Sequence, residues 1–397
     1  LGISGRGTGT NEEAQVKVFQ LGTLAAVAAG LLVPAIAQAA DTPSSLYDCQ
    51  PRDQKAANPP PQPDLSPKLD AVVAEAIASD DFKQVCPAGE VPEPTKTDES
   101  PMTNPPSPAK SQTEPSQDNA GGQKVEGASA SRVRFGHRHG RHRGRRASIS
   151  RQLHGGFWYS WAGGWQGVAG SKGVNGLFVQ QTNEQPYIPT WENAAGAHSL
   201  GQLWGINEGG GGCDSTVETG WSESSGQFGD FNPHLFIFAF DCGVSRGYAC
   251  ATCGNWVQSS TVAFPNMTVT HNDVFHIYGA EMAGNNWWFY YDGQWVGYIP
   301  HAVWSTRFPY VLNELEAGGE VATPEKWTCA DMGYGALFGT HPWAAMFSSV
   351  WYVYNNSTQG ETANMLYQNR LDSDTGAYTS GNWAYNYQFR YGGPGWC

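Results

Sequence analysis

The sequence predicts an all-β protein: an antiparallel β-sandwich over residues 154–397, preceded by a signal peptide and a small, partly disordered propeptide. Three observations predict this. Short runs rich in β-branched and aromatic residues recur from Gly176 to the C-terminus, bounded by turn signals such as Tyr291-Asp-Gly-Gln and Ala283-Gly-Asn-Asn. A helical 3.6-residue period is almost missing from the same region. Composition also breaks near residue 157: all 16 Trp lie between Trp158 and Trp396, whereas 16 of the 25 Pro lie at or before Pro115. Many short strands joined by tight turns bury their apolar faces as a sandwich or barrel, and roughly 240 residues suffice for one large two-sheet domain.

Taken in chain order, residues 1–40 read as a signal peptide. Lys17 precedes an uncharged stretch from Val18 to Ala40, which contains Pro34 and, after it, the small-residue signature Ala37-Gln38-Ala39. A membrane anchor is the competing reading, since the stretch nearly reaches spanning length, but Pro34 and the cleavage signature fit removal better. A secreted protein with no membrane attachment after cleavage is expected. Secretion makes the eight Cys a disulfide set. If residues 41–153 are a propeptide that separates later, Cys49 pairs with Cys86, and the other six Cys have fifteen possible connectivities. Cys250-Ala-Thr-Cys253 reads as a short local disulfide, because no second pair of that spacing exists to complete a zinc site.

Within the propeptide, Ser66-Pro67 opens an expected helix with Leu69, Val72, Val73, Ala76 and Ile77 on one face. Residues 92–130 are too polar to fold alone. An Arg/His-rich linker at 132–151 reads as an exposed processing site whose His residues gain charge on acidification; a solvated basic linker is the plainer alternative. Strands are expected at Gly176-Leu-Phe-Val-Gln, His234 to Phe240, Thr261 to Phe264, Val274 to Tyr278, Asn286 to Tyr291, Gln294 to Ile299, Ser348 to Tyr354 and Trp383 to Phe389. Asn266-Met-Thr, Asn355-Asn-Ser and Asn356-Ser-Thr are glycosylation sequons.

Charge narrows the function. From Phe157 onward there are 6 Lys and Arg against 19 Asp and Glu, so the whole net charge of −13 falls in the domain. A folded surface this poor in cations argues against a nucleic-acid partner. The domain contains no G-x-S-x-G and no H-E-x-x-H, and no metal or other cofactor is implied. Carboxylates remain. Glu218, in Thr216-Val-Glu-Thr-Gly-Trp221, alternates with Val217 as on a strand facing inward, and Glu320 follows two glycines that allow close backbone approach. Two buried carboxyls sharing protons suit attack of water on an acyl carbon. A glycoside hydrolase with paired carboxylates and aromatic subsites, or a non-catalytic carbohydrate-binding sandwich, would fit the Trp content too.

At these residues the chain resembles the neprosin family of secreted glutamic peptidases. The motifs that carry the resemblance are His198-Ser-Leu-Gly-Gln-Leu-Trp204, Val217-Glu-Thr-Gly-Trp221, Phe236-Ile-Phe, Cys250 and Cys253 before Trp256-Val-Gln, Asn286-Trp-Trp-Phe, Val296-Gly-Tyr-Ile-Pro300, Gly318-Gly-Glu-Val321, Asp331-Met-Gly-Tyr-Gly335 and the terminal Tyr391-Gly-Gly-Pro-Gly-Trp-Cys397, with Cys86-Pro-Ala-Gly-Glu-Val-Pro92 in the leader. The resemblance implies a β-sandwich zymogen inhibited by its own propeptide. It implies Glu218 and Glu320 as the catalytic pair and polypeptides cut after proline in acid as substrates. Gln202, Trp204, Trp221, Asp331 and Tyr334 are implied as substrate-binding. Asp331 and Tyr334 depart from the family pattern, which has Gln and Ser there.

Overall fold

The computed structural model describes residues 47–51, 60–65, 82–94, 152–154, 156–167, 173–194, 196–209, 213–241, 244–245, 255–304, 312–337, 344–354, 360–362, 370–372, 376–382 and 389–397. The signal stretch, the helix expected from Ser66, the Arg/His linker, the Cys250–Cys253 pair, the sequons at Asn355 and Asn356 and the run 383–388 lie outside them.

Two short strands, β1 (Tyr47–Pro51) and β2 (Glu90–Pro94), pair antiparallel. The domain then contributes β3 (Gln152–His154), β4 (Phe157–Gly167), β5 (Val174–Asn183), β6 (His198–Gly209) and β7 (Cys213–Glu223). A single helical turn, α1 (Ser225–Phe228), leads to β8 (His234–Asp241), β9 (Val244–Ser245) and β10 (Val257–Gln258). There follow β11 (Asn272–Ala283), β12 (Asn286–Tyr291), β13 (Gln294–Ile299), β14 (Glu314–Thr323) and β15 (Ala345–Tyr354). Last come β16 (Gly360–Thr362), β17 (Arg370–Asp372), β18 (Thr379–Asn382) and β19 (Phe389–Gly392).

They form two antiparallel sheets. One has the order β17-β4-β14-β6-β7-β8-β9 with β3 added at β4, and the other β10-β13-β12-β11-β5-β15-β19-β18 with β16 added at β15. Strand alternation sends every second side chain between them. From the first sheet Leu203, Val217, Trp221, Ile237, Leu315 and Val321 point inward, where they join Leu177, Val179, Tyr278, Phe289 and Val296 of the second in one core. The expected hairpins are present. Gly284 and Asn285 (φ 56 and 66) turn β11 into β12, and Asp292 and Gly293 (φ 39 and 90) turn β12 into β13. Two consecutive positive φ values match the right-handed strand twist, which is why Gly and Asn or Asp stand there.

Two expectations fail locally. Thr261 to Phe264 is not a strand: the Ser260 hydroxyl accepts the Val262 and Ala263 N–H groups, at 3.2 and 3.0 Å, and so curls the backbone away from a ladder. Asn266, read as a sequon, is buried with φ 66, and its carbonyl accepts from His234 Nδ1 at 2.6 Å, so its side chain is not presented to a glycosylating enzyme.

The N-terminal segment packs on the domain. The Cys49–Cys86 disulfide is formed, as expected, and a second joins Cys329 to Cys397. Tyr47 packs edge-on to Phe264 at 4.8 Å between centroids and Phe82 edge-on to Tyr291 at 5.8 Å. Leu65 packs against Phe178, Tyr290 and Val353 on the outer face of the second sheet. A cavity of about 530 Å³ between this segment and the domain is lined by Tyr47, Val85, Phe264 and Met267 among others, and by neither Glu218 nor Glu320.

Candidate active site

The outer face of the first sheet carries the chemistry. In an antiparallel ladder, residues directly opposite share a face, so the register assembles rows across strands. Trp161, Glu320, Leu200 and Ser222 form one row. Gly163, Gly318, Gln202 and Gly220 form the next, and Trp165, Glu316, Trp204 and Glu218 the third. Glu320 on β14, Gln202 on β6 and Glu218 on β7 therefore lie on one diagonal over three adjacent strands. Glu218 is buried, but on the face opposite Val217 rather than in the inter-sheet core.

The glycines make room on this face. A Cβ on Gly318 would lie 2.6 Å from the Ala162 carbonyl oxygen and 3.0 Å from the Trp161 ring. Without one, the Trp161 indole lies over the glycine row and stacks on Trp204, with centroids 4.8 Å apart and planes inclined by 25°. An aromatic wall thus stands beside the glutamates. Trp161 was not singled out in the sequence, because one Trp among 16 carries no positional signal before the register is known.

Each glutamate is held differently. The Thr216 hydroxyl donates to Glu218 Oε1 at 2.7 Å, while Oε2 has no hydrogen-bond partner. Burial pushes the Glu218 carboxyl up to about 8; the Thr216 bond opposes this, and the charge of Glu320 adds to it. The Trp204 indole N–H lies near enough to favour the ionised form slightly without making a full hydrogen bond. Glu320 is likewise raised by burial, and His198 pulls it back. His198 Nε2 lies 2.9 Å from Glu320 Oε1, and its Nδ1 2.9 Å from the Gly196 carbonyl oxygen. Across 122 residues no spacing rule announces that pair.

The other candidates separate. Gln202 is wholly buried between the two glutamates, with neither its amide oxygen nor its nitrogen hydrogen-bonded. Trp204 lies opposite Glu218 in the ladder. Trp221 is elsewhere: it belongs to the inter-sheet core, and its indole N–H donates to the Thr182 carbonyl at 3.0 Å. Three residues separate it from Glu218, an odd number, so the two point to opposite faces. Asp331 sits in a loop where its backbone N–H donates to the Tyr187 carbonyl at 2.8 Å, and burial raises its carboxyl to about 6. Tyr334 is exposed. Asp331 and Tyr334 lie outside the strand rows that carry the glutamates. Among the described residues no group of three or more His, Cys, Asp or Glu is arranged to hold a metal ion.

A pair of buried carboxyls on one sheet face, bracketing an unpaired amide, can hold a water and exchange protons with it. The Neprosin family model matches residues 195–394, which include both glutamates, His198 and Gln202. The chain belongs to the Neprosin family. Membership makes it a peptidase. Among solved structures it is similar to a glycosidic hydrolase at 13% identity, covering 51% of this chain and 80% of that one with a TM-score of 0.26. It is also similar to the β-porphyranase of the human gut bacterium Bacteroides plebeius, at 10% identity, 47% and 76% coverage and a TM-score of 0.25. A Bacillus licheniformis β-glucanase matches at 11% identity, 45% and 71% coverage and a TM-score of 0.23. No helix among the described residues is long and apolar enough to cross a membrane, and the two disulfides suit an oxidising compartment.

Proposed function

We propose that this peptidase is a glutamic endopeptidase that works in acid, in which Glu218 and Glu320 together activate a water against the peptide carbonyl. The observation that carries the reading is the pair itself: two buried carboxyls on one face of one sheet, both raised by burial, with the charge of one raising the other. Coupled carboxyls of this kind hold one proton between them over a wide pH range, so that one is acid and the other base. Gln202 and Trp204 bind substrate in this reading. The Gln202 amide offers a donor to the peptide carbonyl, and the Trp161–Trp204 wall offers an apolar surface that suits the compact pyrrolidine ring of proline. Cleavage after proline is accordingly the expected preference.

The protein is secreted and made as a zymogen in this reading, with residues 41–153 as the inhibitory segment. Support comes from the contacts of Tyr47, Leu65 and Phe82 with the domain. The test is to hold the purified full chain at a series of pH values from about 3 to 7, across which a coupled pair raised by burial passes through its singly protonated form, and map cuts in a mixed peptide pool by mass spectrometry. Glu218→Gln and Glu320→Gln forms are run beside it. Cuts following proline that vanish in both variants are expected. An intact pool, with fold retained and the N-terminal segment gone, would overturn the peptidase mechanism, and release of reducing sugar would redirect it to glycosides.

A further inference from the structure

The rows that carry the glutamates do not stop at β7. Register continues each of them onto β8, where Ser222 faces His234, Gly220 faces Phe236 and Glu218 faces Phe238. The row through Gln202 therefore runs Gly163, Gly318, Gln202, Gly220 and Phe236 across adjacent strands. Glycine at three of these places makes it a trough lying across the sheet, between higher rows that carry Glu320 and Leu200 on one side and Trp204, Glu218 and Phe238 on the other. The Trp161 indole occupies its β4 end, and β8 supplies the opposite end.

The β8 end is apolar. Leu200, Phe236 and Phe238 form one cluster, with Phe240 packed against it. Phe236 and Phe238 are two residues apart on one strand, so their rings share a face, with centroids 6.3 Å apart and planes inclined by 12°. Their neighbour His234 has both ring nitrogens engaged, Nδ1 with the Asn266 carbonyl at 2.6 Å and Nε2 with Asp230 at 2.9 Å, and Phe228 stacks on its ring at 4.0 Å. Phe236 and Phe238 are 7% and 1% exposed, beside 2% for each glutamate. A chain that reaches Glu218 therefore also reaches Phe238, one strand spacing of about 4.8 Å away.

We infer that Leu200, Phe236 and Phe238 form a specificity subsite for a large apolar side chain on the leaving-group side of the cut, within two residues of it. The inference rests on the reading that the peptide bond is attacked between Glu218 and Glu320 with proline against the Trp161–Trp204 wall, and it adds what is selected after the cut. Position sets the direction: with the acyl side on Trp161 of β4 and the scissile carbonyl at Gln202 of β6, the chain leaves toward β8. That path covers two strand spacings, about 9–10 Å, and an extended chain advances about 3.3 Å per residue, so a Leu or Phe side chain borne by the first or second residue spans the remainder. Chemistry sets the class. A methylene more or less in an apolar pocket changes kcat/KM by about 10–200-fold. An acidic side chain would shed its hydration against two phenylalanine rings and beside Glu218, so Asp and Glu are the residues most strongly refused.

The test is the residue profile on both sides of every cut made by the full chain in a mixed peptide pool, followed by kcat/KM on peptides of one sequence that differ only at the two positions after the cut. Leu and Phe are expected to exceed Ser by at least about tenfold at one of those positions, with Asp slowest. Phe236→Ala and Phe238→Ala are expected to bring Leu and Ser close to equal there while the selection before the cut stays. Equal cutting of the Leu, Ser and Asp peptides by the unaltered chain would overturn the inference. So would a uniform loss over all peptides in the variants, which marks a merely structural role, or a change of selection before the cut, which reverses the direction of the chain. If the alanine forms do not fold, Phe236→Leu and Phe238→Leu replace them: the smaller side chain leaves more room, so the ratio of Phe to Leu peptides rises, and an unmoved ratio in a folded variant contradicts the subsite. Failure of the underlying reading looks different, because the pool would then stay intact or its cuts would be indifferent to Glu218→Gln and Glu320→Gln.

Discussion

Gln202 has a buried amide with both polar atoms unpaired, an arrangement that costs about 1–3 kcal/mol unless a ligand repairs it. Its place on the diagonal between Glu218 and Glu320 makes the substrate carbonyl the natural partner. Gln202→Ala is expected to lower kcat by about 10²–10³-fold, the usual cost of a lost donor to a developing oxyanion, with little change in KM and no fall in the melting temperature, since the unpaired amide it removes is itself costly. Steady-state kinetics check this, and an unchanged kcat would remove Gln202 from the mechanism. At this scale the sequence carried the acidic pair, through the motifs around Glu218 and Glu320, and the nearby Gln202. It did not carry His198, since a contact over 122 residues exists only once β6 and β14 are registered. Trp221, which the resemblance implies as substrate-binding, stands in the inter-sheet core, because its three-residue offset from Glu218 turns it to the opposite face of β7.

Among elements, the hairpins of β11, β12 and β13 were legible because Gly284-Asn285 and Asp292-Gly293 are residues that adopt positive φ readily. β4 and β6 were not. Their runs, Phe157 to Gly167 and His198 to Gly209, are interrupted by several glycines, which are depleted in strands and blur the alternation that marks one. The glycines serve the face instead, because Gly163, Gly318 and Gly220 leave space where side chains would collide with neighbouring backbone. Gly318→Ala forces a Cβ to within 2.6 Å of the Ala162 oxygen. It is expected to destabilise the domain by about 1–3 kcal/mol, to displace Trp161 from Trp204, and to lower activity with it. Urea unfolding and tryptophan fluorescence together check this; a variant of unaltered stability and emission would mean that the ladder there relaxes freely.

For the molecule as a whole, buried acids set the response to pH. Glu218, Glu223 and Glu281 are each pushed up to about 8, in every case chiefly by burial. Asp64 of the N-terminal segment adds to the effect at Glu281, so that segment is held best while Glu281 is neutral. Their folded values exceed the unfolded value of 4.5. The stability they contribute is therefore complete below about 4.5 and is lost as pH rises through about 8, by up to about 1.4 kcal/mol per pH unit for each group. Melting temperature is expected to fall steadily from pH 4.5 to 8 in calorimetry, and a flat or rising curve would contradict the burial. An acidic domain with few bases adds self-repulsion in the same direction, which fits work at low pH.

The central claim is that Glu218 and Glu320 act as one unit, and a double-mutant cycle on cleavage of a single proline-containing peptide in acid tests it most directly. Glu218→Gln and Glu320→Gln are each expected to lower kcat by at least about 10³-fold, and the double variant to fall no further, as groups serving one step do. Losses that multiply in the double variant, or substantial activity left in either single one, would contradict a shared mechanism.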